Sequence, residues 1–217
     1  IERTDGIHYW NTYSSKFIIQ ASNSNESVIT NNTILESYDG SFSGIDKLYY
    51  IRARNSLIEN NSIEAKHSVG EGYGCYIIYD EEGSDIINNE IFSLHYYGYG
   101  SSVIYTSEPD TGELDQENGQ VSGNVITVND ITNNRLDEII YAARKKDIYN
   151  NTIITENYST KRKIVAGYDC NIWNNHLDGY TDDHSIQIIG DNVSIYDNTM
   201  YSYGGDAGDW DLTVEAN

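Results

Sequence analysis

An all-β chain wound into a solenoid of about seven coils is what this 217-residue sequence predicts, and three observations carry it. The first is a string that recurs seven times: VITNNTIL (28–35), LIENNSIE (57–64), DIINNEIF (85–92), QVSGNVIT (120–127), DIYNNTII (147–154), NIWNNHLD (171–178) and SIYDNTMY (194–201). The second is its period. The second turn residue falls at Asn32, Asn61, Asn89, Asn124, Asn151, Asn175 and Asn198, at spacings of 29, 28, 35, 27, 24 and 23 residues. Paired helices would not absorb that irregularity, whereas a coil with fixed strands and variable loops does. The third is that apolar residues alternate or come in pairs, as in FIIQ, YIIY, EIIY and SIQI, with no helical period.

Each position of the string has a physical reading. Before the turn stand Ile29, Ile58, Ile86, Val121, Ile148, Ile172 and Ile195; after it come Ile34, Ile63, Ile91, Ile126, Ile153, Leu177 and Met200. Both sets should point inward and stack on themselves from coil to coil. The first turn position holds Asn31, Asn60, Asn88, Gly123, Asn150, Asn174 and Asp197, residue types that tolerate the left-handed backbone of a sharp bend. The second is Asn every time. A repeated amide at one position implies a ladder, each side chain bonding its neighbours about 4.8 Å above and below. The motif is therefore read as the corner of a parallel β-helix.

In that register the coils open at SKFIIQ, KLYYIR, GCYIIY, SSVIYT, DEIIYA, RKIVAG and HSIQII, in order. Residues 1–14 read as the tail of a preceding coil and LTVEAN as the start of another. Coil four is irregular. TSEPDTGELDQENGQ (106–120) is an acidic insertion holding the only proline, and a second corner-like string, ITNNRL (131–136), follows VSGNVI closely. VSGNVI is taken as the true corner, because a corner at Asn134 would leave 45 residues since Asn89. Cys75 is placed just before the first strand of coil three and Cys170 just before the second strand of coil six. Three coils put them about 14 Å apart, so both are expected to be free thiols.

These NNTI-like corners resemble those of the right-handed parallel β-helix repeat superfamily. The likeness runs from about Ser15 to Thr213 and is greatest to the repeat regions of adhesin-like surface proteins, notably those of methanogenic archaea. More distantly the chain resembles pectate lyases and related carbohydrate-active enzymes. The resemblance implies a right-handed coil, an extracellular or cell-surface location and a structural or adhesive role. A polysaccharide lyase or glycoside hydrolase is the alternative, and a subunit of a self-assembling sheath or fibre is the second alternative. β-Helices host many activities, so function must come from a site.

Composition narrows the partners. A formal charge of −21 argues against nucleic acid and anionic membranes, and no apolar run approaches the roughly 20 residues of a membrane span. The chain opens at Ile1 rather than Met, so residues 1–217 are expected to be one domain of a longer protein or of a stacked assembly associating through open helix ends. Six N-glycosylation sequons occur, at Asn25, Asn31, Asn60, Asn150, Asn157 and Asn192; three of these arise from the corner itself, and the loop sequons at Asn25, Asn157 and Asn192 are the better candidates.

Candidate ligand-binding residues form an outward column. Tyr149, Trp173 and Tyr196 precede the corner on consecutive coils, with His176 and Asp178 just after it and Tyr201 one coil on. Sugars dock their C–H faces on such rings, so a polysaccharide or cell-surface glycan is the expected partner; the alternatives are an exterior aromatic ladder that only covers the sheet and a protein or self-assembly contact. Catalytic candidates are Asp182, Asp183 and His184 in TDDHS, since glycoside hydrolysis needs paired carboxylates. Polygalacturonases, which share the fold, carry such a paired Asp, but their Asn-Thr-Asp, Gly-His-Gly and Arg-Ile-Lys strings are missing here. No organic cofactor is expected. Ca2+ is the one metal considered, with Asp80, Glu81, Glu82 and Asp85 as ligands, or Asp110, Glu113, Asp115 and Glu117 in the insertion; their spacing fits no EF-hand or calcium nonapeptide repeat. Six of thirteen basic residues crowd into 144–163, read as loops flanking coil five that would either meet an acidic sugar or simply offset the surrounding negative field.

Overall fold

The structure is a computed structural model, and it describes residues 16–21, 27–35, 41–42, 47–69, 74–95, 101–107, 119–130, 136–156, 160–181, 183–203 and 210–214. These form three parallel sheets and no helix. The first sheet stacks Lys16–Ala21, Lys47–Ala53, Gly74–Asp80, Ser102–Thr106, Leu136–Arg144, Thr160–Tyr168, His184–Ile188 and Trp210–Val214. The second stacks Val28–Thr30, Leu57–Glu59, Asp85–Ile87, Gly119–Ser122, Lys146–Tyr149, Asn171–Trp173 and Ser194–Tyr196. The third stacks Thr33–Leu35, Ser62–Val69, Glu90–His95, Val125–Asp130, Thr152–Glu156, His176–Tyr180 and Thr199–Tyr203, with the two-residue strand Ser41–Phe42 beside Ser62–Val69. The chain visits the sheets in rotation, and every pairing is to the equivalent strand one turn away. This is a parallel β-solenoid. Its count departs from seven coils by the extra first-sheet strand Trp210–Val214, where LTVEAN was read as a new start.

Isoleucine makes the core because one inward position per strand repeats at each turn. Ile58, Ile86, Val121, Ile148 and Ile172 are in register in the second sheet, Ile63, Ile91, Ile126, Ile153 and Leu177 in the third, and Ile51, Ile78, Ile104, Ile140, Ile164 and Ile186 in the first. All are essentially inaccessible to solvent. In the seventh turn Ile195 and Met200 are only partly buried.

The corner between the second and third sheets takes the expected form. Asn31, Asn60, Asn88, Gly123, Asn150, Asn174 and Asp197 have φ between 52° and 64°. Asn124 occupies the ladder between Asn89 and Asn151, which fixes VSGN as the corner of turn four; residues 131–135 lie outside the described set. A second left-handed corner, between the first and second sheets, went unread in the sequence. It is formed by Asn55, Gly83, Lys145, Asp169 and Asn192, with φ from 44° to 64°.

Several placements need correction. Cys75 lies inside the strand Gly74–Asp80 rather than before it; like Cys170 it is a buried free thiol. Of the basic cluster, only Lys145 sits in a turn. Arg144, Lys146, Lys161, Arg162 and Lys163 lie in strands, because the strands run longer than the apolar pairs that marked them. The acidic insertion at 108–118, residues 1–14, and Asn25 and Asn157 lie outside the described residues.

Candidate functional site

Register brings Tyr149, Trp173 and Tyr196 together on the outer side of the second sheet. The Tyr149 and Trp173 rings are 4.5 Å apart between centroids and 4° from parallel; Trp173 and Tyr196 are 5.7 Å apart and 6° from parallel. Parallel rings that close cannot lie side by side, since each is wider than the gap. They overlap face on face in offset stacking. The column exists, but its faces are turned to one another and solvent meets mainly edges. The outward spacing of roughly 5 Å expected from the sequence is present, with neighbouring rings covering one another's faces. Tyr149 further donates its hydroxyl to Gln120 Oε1, while Tyr196 is 48% exposed.

Across the corner, on the third sheet, His176 and Tyr201 meet edge to face at 5.8 Å. Tyr201 is exposed and aligned with Asp178, whose Oδ1 is buried without a hydrogen-bond partner. The six expected binding residues therefore divide between two sheets.

The first sheet carries a richer outer surface that sequence reasoning missed. Tyr79, Tyr105 and Tyr141 share one register position on consecutive turns and stack at 5.3 and 4.8 Å. Tyr49 and Tyr76 stack beside them at 5.4 Å, each edge-on to Tyr79. Arg52 lies 5.5 Å from the centre of the Tyr49 ring and pairs with Glu81. The next register position continues as Ser102, Glu138, Arg162 and His184. Here Glu138 accepts from Ser102 Oγ at 3.1 Å and from Arg162 Nη2 at 2.7 Å, and Arg162 Nη1 donates to Gln187 at 2.7 Å. Burial raises the Glu138 pKa despite the Arg162 charge beside it. Burial likewise pushes the Tyr49 phenol up to about 12, and raises Tyr76, where the Tyr105 ring adds to the effect. The signal lay in KLYY, CYIIY, VIYT and EIIY, where tyrosine recurs beside the apolar pair.

The carboxylates of the acidic turn 80–85 are engaged within the fold. Glu81 pairs with Arg52 and Glu82 with Arg54, whose hydrogen bond lowers the Glu82 pKa. Asp80 is fully buried, salt-bridged to Lys146 at 2.9 Å, and accepts the backbone N–H groups of Glu82 and Ser84. Asp85 accepts the Gln120 N–H at 3.1 Å. Each carboxylate is thus committed within the fold. Among the described residues no group of three His, Cys, Asp or Glu side chains is arranged to hold a metal. Asp110, Glu113, Asp115 and Glu117 lie outside those residues, as does Asp182. Of the other catalytic candidates, Asp183 donates its backbone N–H to Lys161 O, and His184 begins a strand in register with Arg162.

The basic cluster is dispersed. Lys163 is fully buried and donates to Gly179 O at 2.9 Å, Lys161 pairs with Asp137, and Arg162 with Glu138. No single cationic patch results.

Fold and surface together define a parallel β-solenoid whose side chains stack in rows along its axis. Compared with known families, curated proteins and solved structures, the chain matches none.

Proposed function

We propose that the chain is a segment of an extracellular, cell-surface protein of the right-handed parallel β-helix superfamily, most like the adhesin-like repeat proteins, with a structural and adhesive role. One observation supports this most: outward aromatic rows stack on themselves just as the inward isoleucines do, so the shell as well as the core stiffens the rod. A saccharide would bind on the first sheet, where the tyrosine edges lie beside the hydrogen-bonding row of Ser102, Glu138, Arg162 and Gln187. The second reading, a polysaccharide lyase or hydrolase, is favoured only by Glu138, a carboxyl whose raised pKa suits proton transfer. Intact source cells probed with antibody to the chain test the location, and labelling only after lysis would refute it. A glycan array with depolymerisation assays tests the face. Arg162→Ala should lose glycan binding that Trp173→Ala keeps; cleavage abolished by Glu138→Gln would instead establish the enzyme.

A further inference from the structure

Lys146 and Asp80 meet where nothing else of the chain's chemistry is in use. Lys146 opens the second-sheet strand of turn five, and Asp80 closes the first-sheet strand of turn three. Turn four should separate them. It does not, because the residue in register with Lys146 is Gly119, and a Cβ there would stand 2.2 Å from Lys146 Nζ and 2.4 Å from Ser84 O. The missing side chain is the passage through which the lysine reaches across a whole turn.

At the end of that passage Nζ lies 2.9 Å from Asp80 Oδ2 and 3.0 Å from Ser84 O. The side chains are 5% and 0% exposed. The other carboxylate oxygen, Oδ1, accepts the Glu82 backbone N–H at 3.0 Å, and the Ser84 N–H is shared between Oδ1 and Oδ2 at 3.2 Å from each. An amine is thus held against a carboxyl in a dry site, with one fixed donor on the oxygen that stays behind and a second shared between the two oxygens. That is the arrangement acyl transfer requires: proximity, exclusion of water and stabilisation of the developing oxyanion.

We propose that Lys146 and Asp80 condense into an intramolecular isopeptide bond. The ammonium first passes a proton to Oδ2, and the neutral Nζ attacks Asp80 Cγ. Negative charge gathers on Oδ1, held by the Glu82 and Ser84 N–H groups. Oδ2 then departs as water with two of the three Nζ hydrogens, leaving the third on the amide nitrogen. One N–C bond forms, one C–O bond breaks, and the opposite charges cancel. No oxidant or co-reactant is needed. Condensation also removes the desolvation cost of keeping two full charges buried. The product links turns three and five across turn four.

The test is the intact mass of the purified, fully denatured 217-residue chain, followed by peptide mapping. The parent should weigh about 18 Da less than its sequence, one water lost, with Lys146 and Asp80 recovered in one branched peptide. Lys146→Arg keeps a cation opposite Asp80 but should show the full mass. The Lys161–Asp137 pair, also close but partly exposed, should remain unlinked. A parent of full mass after prolonged incubation in the folded state would overturn the proposal. So would a deficit that persists in Lys146→Arg or maps to other residues.

Discussion

Asn151 shows why one residue type fills the ladder. Its backbone N–H and its side-chain NH2 both donate to Asn175 Oδ1 at 3.0 Å, and the second hydrogen of that NH2 reaches back to Val121 O at 2.8 Å. Its own Oδ1 receives the matching pair from Asn124. Each rung therefore ties together three turns. Aspartate lacks the donors, and glutamine would carry the amide too far from the bend. Asn151→Ala takes the acceptor from the buried Asn124 backbone N–H and the amide donor from Val121 O, while the Asn124 NH2 keeps Ile86 O and Ser122 O; an unsatisfied buried group costs about 1–3 kcal/mol. The loss should be about 1–3 kcal/mol, against far less for Thr152→Ala on the half-buried outer side. Urea denaturation of the two variants decides it, and equal losses would mean that the amide does not bear the corner.

At the scale of the element, the in-or-out alternation of a strand was legible in the sequence and the tilt of its side chains was not. Inward isoleucines, the left-handed first turn residue and the Asn ladder all follow from NNTI-like strings, because each position there is chemically constrained. The second corner has no such string: Asn55, Gly83, Lys145, Asp169 and Asn192 share a backbone conformation, and Asn192 and Asp169 bond side chain to side chain, but no one residue type is required. Nor did the sequence show that Tyr149, Trp173 and Tyr196 would cover one another, although strands about 4.8 Å apart leave no room for rings laid flat in register. On that geometry we predict that Trp173 braces the sheet rather than anchoring a ligand. Trp173→Ala breaks two stacked pairs, each contributing about 0.5–1.5 kcal/mol beyond area burial. Stability should fall by about 1–3 kcal/mol with glycan affinity unchanged. Thermal unfolding beside a binding assay separates the two roles, and the reverse pattern would make Trp173 the anchor.

For the whole molecule, a charge of −21 has to coexist with buried phenols, and high pH sets the two against each other. The first sheet holds Tyr49 at a pKa of about 12 and raises Tyr76 as well, both chiefly through burial, with neighbouring tyrosines adding to it. In the unfolded chain both return to the ordinary value of 10.0. Below that pH both states keep these protons and the stability is unaffected. Above it the unfolded chain releases protons that the folded chain retains, so the unfolded state gains free energy of ionisation and stability declines as pH rises through about 12. Each such group contributes a slope of about 1.4 kcal/mol per pH unit within that window. Fewer phenols should therefore titrate in the folded protein than in urea, as read by ultraviolet phenolate absorbance, and the missing ones should appear together with unfolding. Tyr49→Phe should flatten the alkaline limb of the stability curve. If all the phenols instead titrate in one step near pH 10, with stability flat from there to 12, the tyrosine rows of the first sheet are open to solvent and the packed outer shell does not exist.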